Sequence, residues 1–129
     1  MSKRILVVDR SGTIQMLLST YFTNSGHYVI ARGTPQDALR VLDALSEAPD
    51  LIFLAVHVDE KAAYQVIRYV KGWASYEQTQ MVVMVSQEDQ AQVQRTLAEI
   101  PVHYLLKPFH IQQALAFVGR DHTLLQKKP

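Results

Sequence analysis

Pro49-Asp50-Leu51-Ile52-Phe53-Leu54-Ala55-Val56 decides the fold: after a proline and an acid, every residue from Leu51 to Val56 is apolar. A half-exposed strand would alternate and an independent helix would run longer. A short run apolar throughout therefore reads as a strand buried on both faces of a sheet. The same pattern recurs on either side. Ile5-Leu6-Val7-Val8 stops at Asp9-Arg10-Ser11-Gly12, and Met81-Val82-Val83-Met84-Val85 stops at Ser86. Two weaker runs, His27 to Ala31 and Val102 to Leu106, complete a set of five.

Helical spacing fills the intervals. Ile14, Leu17, Leu18, Tyr21 and Phe22 form one inward stripe, closed by Asn24-Ser25-Gly26. Thr34-Pro35 supplies a cap and a first-turn proline, followed by Ala38, Leu39, Leu42 and Leu45. Asp59 or Glu60 opens a third helix lined by Ala63, Val66, Ile67 and Val70 and ended by Gly72. Ser86 to Glu88 starts a glutamine-rich fourth helix with Val93 and Leu97 inward, and Ile111, Ala114, Leu115 and Val118 line a fifth. Five strands alternating with five helices predict a doubly wound α/β domain with right-handed crossovers and the flavodoxin-like order 2-1-3-4-5. In such sheets ligands bind beyond the carboxyl ends of the strands. Those ends carry Asp9-Arg10, Ala55, Ser86 and Lys107.

The 129 residues suit one domain, expected over 1–120, with 121–129 as a frayed end or the start of a connection. Thirteen basic against twelve acidic side chains leave a formal charge of +1, without the clustered basic face that nucleic-acid binding needs. The absence of cysteine excludes disulfides, zinc–thiolate sites and thiol catalysis. No apolar run is long enough for a signal peptide or a membrane span, so a cytoplasmic location is expected. The five histidines (His27, His57, His103, His110, His122) show no metal-ligand spacing. No Gly-x-Gly-x-x-Gly or Gly-x-x-x-x-Gly-Lys loop follows a strand, so a nucleotide site has no support. Tyr64, Tyr69, Trp73 and Tyr76 gather near the third helix, either as a partner surface or as loop packing.

Four segments, in order, resemble the receiver domain of two-component response regulators: Ile5–Asp9, Pro49–Leu54, Val83–Ser86 and Tyr104–Phe109. The resemblance implies an aspartate nucleophile, an acidic pair holding Mg²⁺, a hydroxyl, a lysine and a switch aromatic, with the metal neutralising charge during in-line transfer. Residue by residue, the hydroxyl falls on Ser86, the aromatic on Tyr104, and the lysine and following proline on Lys107 and Pro108. The nucleophile position holds Ala55, and the acidic pair has become Asp9-Arg10. Where the family usually has Met-Pro and then Asp-Gly, the chain reads Val56-His57-Val58-Asp59-Glu60.

With Arg10 pointing inward, Asp9, Arg10 and Lys107 leave one net positive charge where the family has an excess of two negatives. Each pairwise contact at about 4 Å is worth roughly 4 kcal/mol at an effective dielectric near 20. Loss of Mg²⁺ is therefore expected, with no cofactor, no metal and no enzymatic activity.

Asp9 is expected to pair with Lys107 rather than to remain a metal ligand. Ser86 has two open roles, as a gate or as a cap on the fourth helix. Asp50 and Asp59 read as structural rather than as substitute acceptors.

The expected function is that of a degenerate, or pseudo-receiver, domain that binds a signalling partner without phosphoryl control. The face would be the fourth helix, fifth strand and fifth helix (residues 87–98, 102–106 and 111–118), with Tyr104 as an anchor. The alternative is a receiver switched by phosphorylation at an unusual residue or by a small ligand. Oligomeric state stays open.

Overall fold

Strands β1 (Arg4–Val8), β2 (Tyr28–Arg32), β3 (Leu51–Ala55), β4 (Gln80–Ser86) and β5 (His103–Lys107) form one parallel sheet in the order β2-β1-β3-β4-β5. They are joined by α1 (Gly12–Asn24), α2 (Pro35–Ala44), α3 (Lys61–Lys71), α4 (Gln90–Thr96) and α5 (Ile111–Val118), with a single 3₁₀ turn at Ala74–Tyr76. The computed structural model describes residues 2–119. The reading of 121–129 lies outside them.

β3 is buried at every position, as its composition requires. Its register sets Leu51 beside Ile5 and Gln80, and Leu54 beside Val8 and Val83. Alternate residues then feed two cores. Leu6, Val8, Ile52, Leu54, Val83 and Val85 pack with α2, α3 and α4. Ile5, Val7, Leu51, Phe53, Val82 and Met84 pack with α1 and α5. Phe53 centres the second core, with its ring 5.1 Å from Phe22 and 6.4 Å from Phe117. Burying one such side chain stabilises the fold by about 1.5–3 kcal/mol.

Local chemistry fixes the ends. Ser11 Oγ accepts from the Ile14 N–H at the start of α1, and Thr34 Oγ1 accepts from the Asp37 N–H ahead of Pro35. Gly26 takes φ +91° in the turn into β2, a conformation that only glycine adopts without strain.

Several boundaries differ from expectation. β2 runs from Tyr28 to Arg32 rather than from His27 to Ala31, and β5 reaches Lys107. Their polar end residues still join the ladder because backbone pairing does not depend on side-chain polarity. Tyr21 is 44% exposed, so α1 buries only Leu18 and Phe22 fully. Its five-residue stripe was wider than one sheet face can cover. Neither Asp59 nor Glu60 caps α3 through its side chain; Glu60 stands at the cap position with its carboxylate turned elsewhere. α4 begins at Gln90, later than Ser86–Glu88, because β4 extends through Ser86 and a turn intervenes.

Candidate functional site

Parallel strands bring their carboxyl ends to one rim. The register pairs Val8 with Leu54, Ala55 with Met84 and Ser86 with Lys107, which collects the strand-end residues on a single edge. Asp9 immediately follows β1 and is 4% exposed. A carboxylate so buried needs partners for both oxygens. Its Oδ2 accepts from Lys107 Nζ at 2.5 Å, and its Oδ1 accepts from the Ser11 N–H at 2.9 Å. Gln15 Nε2 donates to the Asp9 carbonyl at 2.7 Å, which steadies the turn into α1.

Arg10 departs from expectation. Its side chain is 67% exposed and pairs with an acid the expectation left out: Nη2 donates to Glu60 Oε2 at 2.9 Å, and Glu60 is only 13% exposed. Local charge is therefore two acids and two bases, and the net positive charge expected from Asp9, Arg10 and Lys107 alone is cancelled. Desolvating Glu60 beside the sheet favours keeping its cation.

Ala55, at the end of β3, lines a crevice with Val8, Asp9, Arg10, Gly33, Pro35, His57 and Glu60. That crevice measures about 10 Å³, at the threshold for one water molecule. The loop after Ala55 is tied from three directions. Asp89 Oδ2 accepts from the Val58 N–H at 3.3 Å, Tyr64 Oη donates to the Val58 carbonyl at 3.3 Å, and Arg10 holds Glu60.

Ser86 Oγ accepts from the Asp89 N–H at 3.2 Å. It thus closes the turn before α4 instead of sitting at the cap position, which Asp89 occupies. Tyr104 is half-buried against the α2–α4 core. Burial raises its phenol pKa, with a further contribution from the neighbouring Tyr64. The Tyr64 phenol is likewise raised, chiefly by burial. The Lys107–Pro108 peptide bond is cis.

Asp50 lies at the opposite end of the sheet, where its Oδ2 accepts from the Arg4 N–H at 2.7 Å. Asp59 is exposed in the loop before α3. Tyr69 packs near Trp73 and Tyr76 with tilted rings, whereas Tyr64 is buried in the core against which Tyr69 and Tyr76 also pack. Glu60, Asp89 and Tyr64 were not foreseen as parts of the site. The sequence presents Glu60 as a helix opener and as part of the Val56–Glu60 segment that departs from the family pattern, and an acid 50 residues from a strand-end arginine carries no local signal of pairing. Among the described residues, no three acidic, histidine or cysteine side chains converge as a metal site.

Residues 5–118 match the response regulator receiver domain family. The DNA-binding transcriptional regulator NtrC of Proteus hauseri is 25% identical over 97% of this chain, which spans 26% of that protein's length. The chemotaxis response regulator CheY4 of Vibrio cholerae superposes with a TM-score of 0.77 at 18% identity, covering 92% of this chain and 97% of its own. The receiver domain of a signal transduction histidine kinase from Syntrophus aciditrophicus gives 0.78 at 23% identity, covering 98% and 95%. At these identities the structures establish the shared fold, while the family match covers nearly the whole described chain. The chain belongs to the response regulator receiver domain family, the signalling modules, rather than enzymes, of bacterial two-component systems.

Proposed function

We propose that this domain is a degenerate receiver: it accepts no phosphoryl group and acts as a fixed docking module for a signalling protein. One observation carries the reading. The residue at the acceptor position, at the carboxyl end of β3, is Ala55, and a methyl group can neither attack phosphorus nor ligate a metal.

The surroundings support it. A hard divalent cation wants six or more oxygen ligands, mostly anionic ones. Asp9 already serves Lys107 and the Ser11 N–H, and Glu60 serves Arg10. Mg²⁺ would have to break both ion pairs to gather two carboxylates, so the residues do not suit it. Small-ligand switching has no comparable support, because the crevice is only about 10 Å³. Asp50 is at the wrong end of the sheet, and Asp59 is on an exposed loop outside the lining of the Ala55 crevice, so neither suits the role of substitute acceptor.

The docking surface is α4, β5 and α5, with Tyr104 as its anchor. Tyrosine offers a large apolar area and a polar tip, the composition of interface hot spots. Intact-mass spectrometry after incubation with a small-molecule phosphodonor and Mg²⁺ should detect no adduct. Beryllofluoride should leave amide shifts at Asp9, Ala55 and Ser86 in place; a stable adduct or saturable shifts there would sink the reading. Tyr104→Ala, checked as folded, should weaken partner binding at least tenfold. Unchanged affinity would move the interface away from this face.

A further inference from the structure

The end of the sheet opposite Ala55 holds a hollow of about 320 Å³, against about 10 Å³ for the crevice at the rim. Its origin lies in the path of the chain. α2 stops at Ala44, Leu45 turns extended at its cap, and the segment from Leu45 to Asp50 carries the chain to β3 without closing over the sheet. The register sets Arg4 beside Tyr28 and Leu6 beside Ile30, and residues two apart on a strand share a face. Leu6 and Ile30 therefore form an apolar floor, with Leu45 and Pro49 as the facing wall. Arg4, Tyr28 and Glu47 stand at the mouth. Small-molecule sites of roughly 300–1,000 Å³ have this build, apolar walls and a few polar groups that set orientation.

The mouth selects the ligand. Arg4 Nη1 donates to Glu47 Oε2. Among the described residues, the other guanidinium N–H groups and Glu47 Oε1 make no bond to protein. Donors thus lie beside an acceptor in a pair that is neutral as a unit. An anion entering here is repelled by Glu47 and a cation by Arg4, whereas a neutral group that accepts from one and donates to the other meets neither penalty. The guanidinium is planar, so its best partner holds acceptor and donor in one plane, as a ring lactam does with its adjoining C=O and N–H.

We propose that this hollow binds a small, neutral, planar heteroaromatic lactam, with its ring on Leu6 and Ile30 and its amide edge between Arg4 and Glu47. Tyr28, 69% exposed, offers an aromatic face at the edge of the site. The ion pair need not break, because the ligand uses the atoms that the pair leaves over. The two side chains are 53% and 66% exposed, so they can also shift at little cost to fit the ring.

The site stands apart from both surfaces already described. A strand's length, about 17 Å, separates it from the rim, and β1, β3 and β4 lie between β2 and β5. The proposal therefore holds or fails independently of phosphoryl acceptance and of docking at Tyr104.

Titration of the 129-residue chain with quinazolinone, a bicyclic lactam, followed by amide NMR shifts, tests it. Saturable shifts are expected at Leu6, Ile30, Leu45 and Glu47, with a dissociation constant on the order of 1 mM or tighter for so small a ligand. The N-methyl derivative, which lacks the N–H, should bind at least threefold more weakly. Naphthoate and naphthylmethylammonium, which match the ring but carry charge, should be weakened as much. Glu47→Ala, at an exposed position, should weaken quinazolinone at least threefold with circular dichroism unchanged, while naphthoate gains because Arg4 is released. Tyr104→Ala should leave quinazolinone binding intact. Absence of saturable shifts, shifts confined to the rim around Ala55, or a charged probe that binds as tightly to the parent overturns the proposal. So does binding indifferent to both N-methylation and Glu47→Ala.

Discussion

Under the proposed reading, Ala55 removes the nucleophile and Arg10 occupies the site around it, and substitutions can separate the two effects. Ala55→Asp restores a carboxylate at the end of β3 but leaves Asp9 paired with Lys107 and Glu60 paired with Arg10. It should bind Mg²⁺ weakly by titration calorimetry. Adding Arg10→Asp frees Glu60 and supplies another oxygen donor, and affinity should rise at least tenfold. Equal affinities would mean that the Arg10–Glu60 pair does not restrain the site.

The Asp9–Lys107 pair can be tested by stability. Lys107→Met leaves a 4% exposed carboxylate without its cation. The usual penalty for breaking a buried pair is about 3–5 kcal/mol; with Lys107 itself 25% exposed, a loss of about 2 kcal/mol in urea denaturation is expected. Asp9→Asn together with Lys107→Met should cost less than Lys107→Met alone, since no bare charge remains. The strand-end residues were legible in the sequence because each closes an apolar run. Glu60 and Asp89 were not, since they meet Arg10 and Val58 across 50 and 31 residues, and only the crossover geometry brings them together.

Among the elements, the caps give paired expectations. Thr34→Ala removes a side-chain bond to the Asp37 N–H and should cost about 1 kcal/mol. Asp59→Ala, at a position making no capping bond, should be close to neutral. Thr34-Pro35 was legible because cap and proline adjoin in sequence, while the start of α3 was ambiguous because two acids adjoin and neither one caps.

Tyr76 ties the segment after α3 to the end of α2: its hydroxyl donates to the Leu42 carbonyl at 3.2 Å. Burial, followed by the neighbouring Tyr69, pushes its pKa up from 10.0 to about 12. An unfolded tyrosine therefore ionises first, and stability falls as pH rises from 10 toward 12. Tyr76→Phe should flatten that alkaline loss while costing about 1 kcal/mol at neutral pH; an unchanged alkaline slope would place its cause elsewhere.

For the molecule as a whole, the sheet order was legible because burial on both faces forces β3 and the inner stretches of β1 and β4, Ile5–Val8 and Met81–Val85, to be apolar. The edge strands β2 and β5 were displaced by one residue because one-sided burial constrains their ends less. Helix exposure was harder to read: Tyr21 fits the spacing of an inward stripe, but its outward position depends on how α1 rolls against the sheet. The long reach of the ion pair across the rim also has a kinetic meaning. Asp9 and Lys107 are 98 residues apart, and β3 and β4 must stand between β1 and β5 before the two charges can meet. A contact that requires the finished sheet is absent from a folding nucleus, and its loss acts on the unfolding rate. In a chevron experiment Lys107→Met should thus steepen escape from the native state while leaving the refolding limb almost superimposable on that of the parent. The rim pair would then work as a latch on the completed sheet, setting how long the domain stays folded and not how fast it folds.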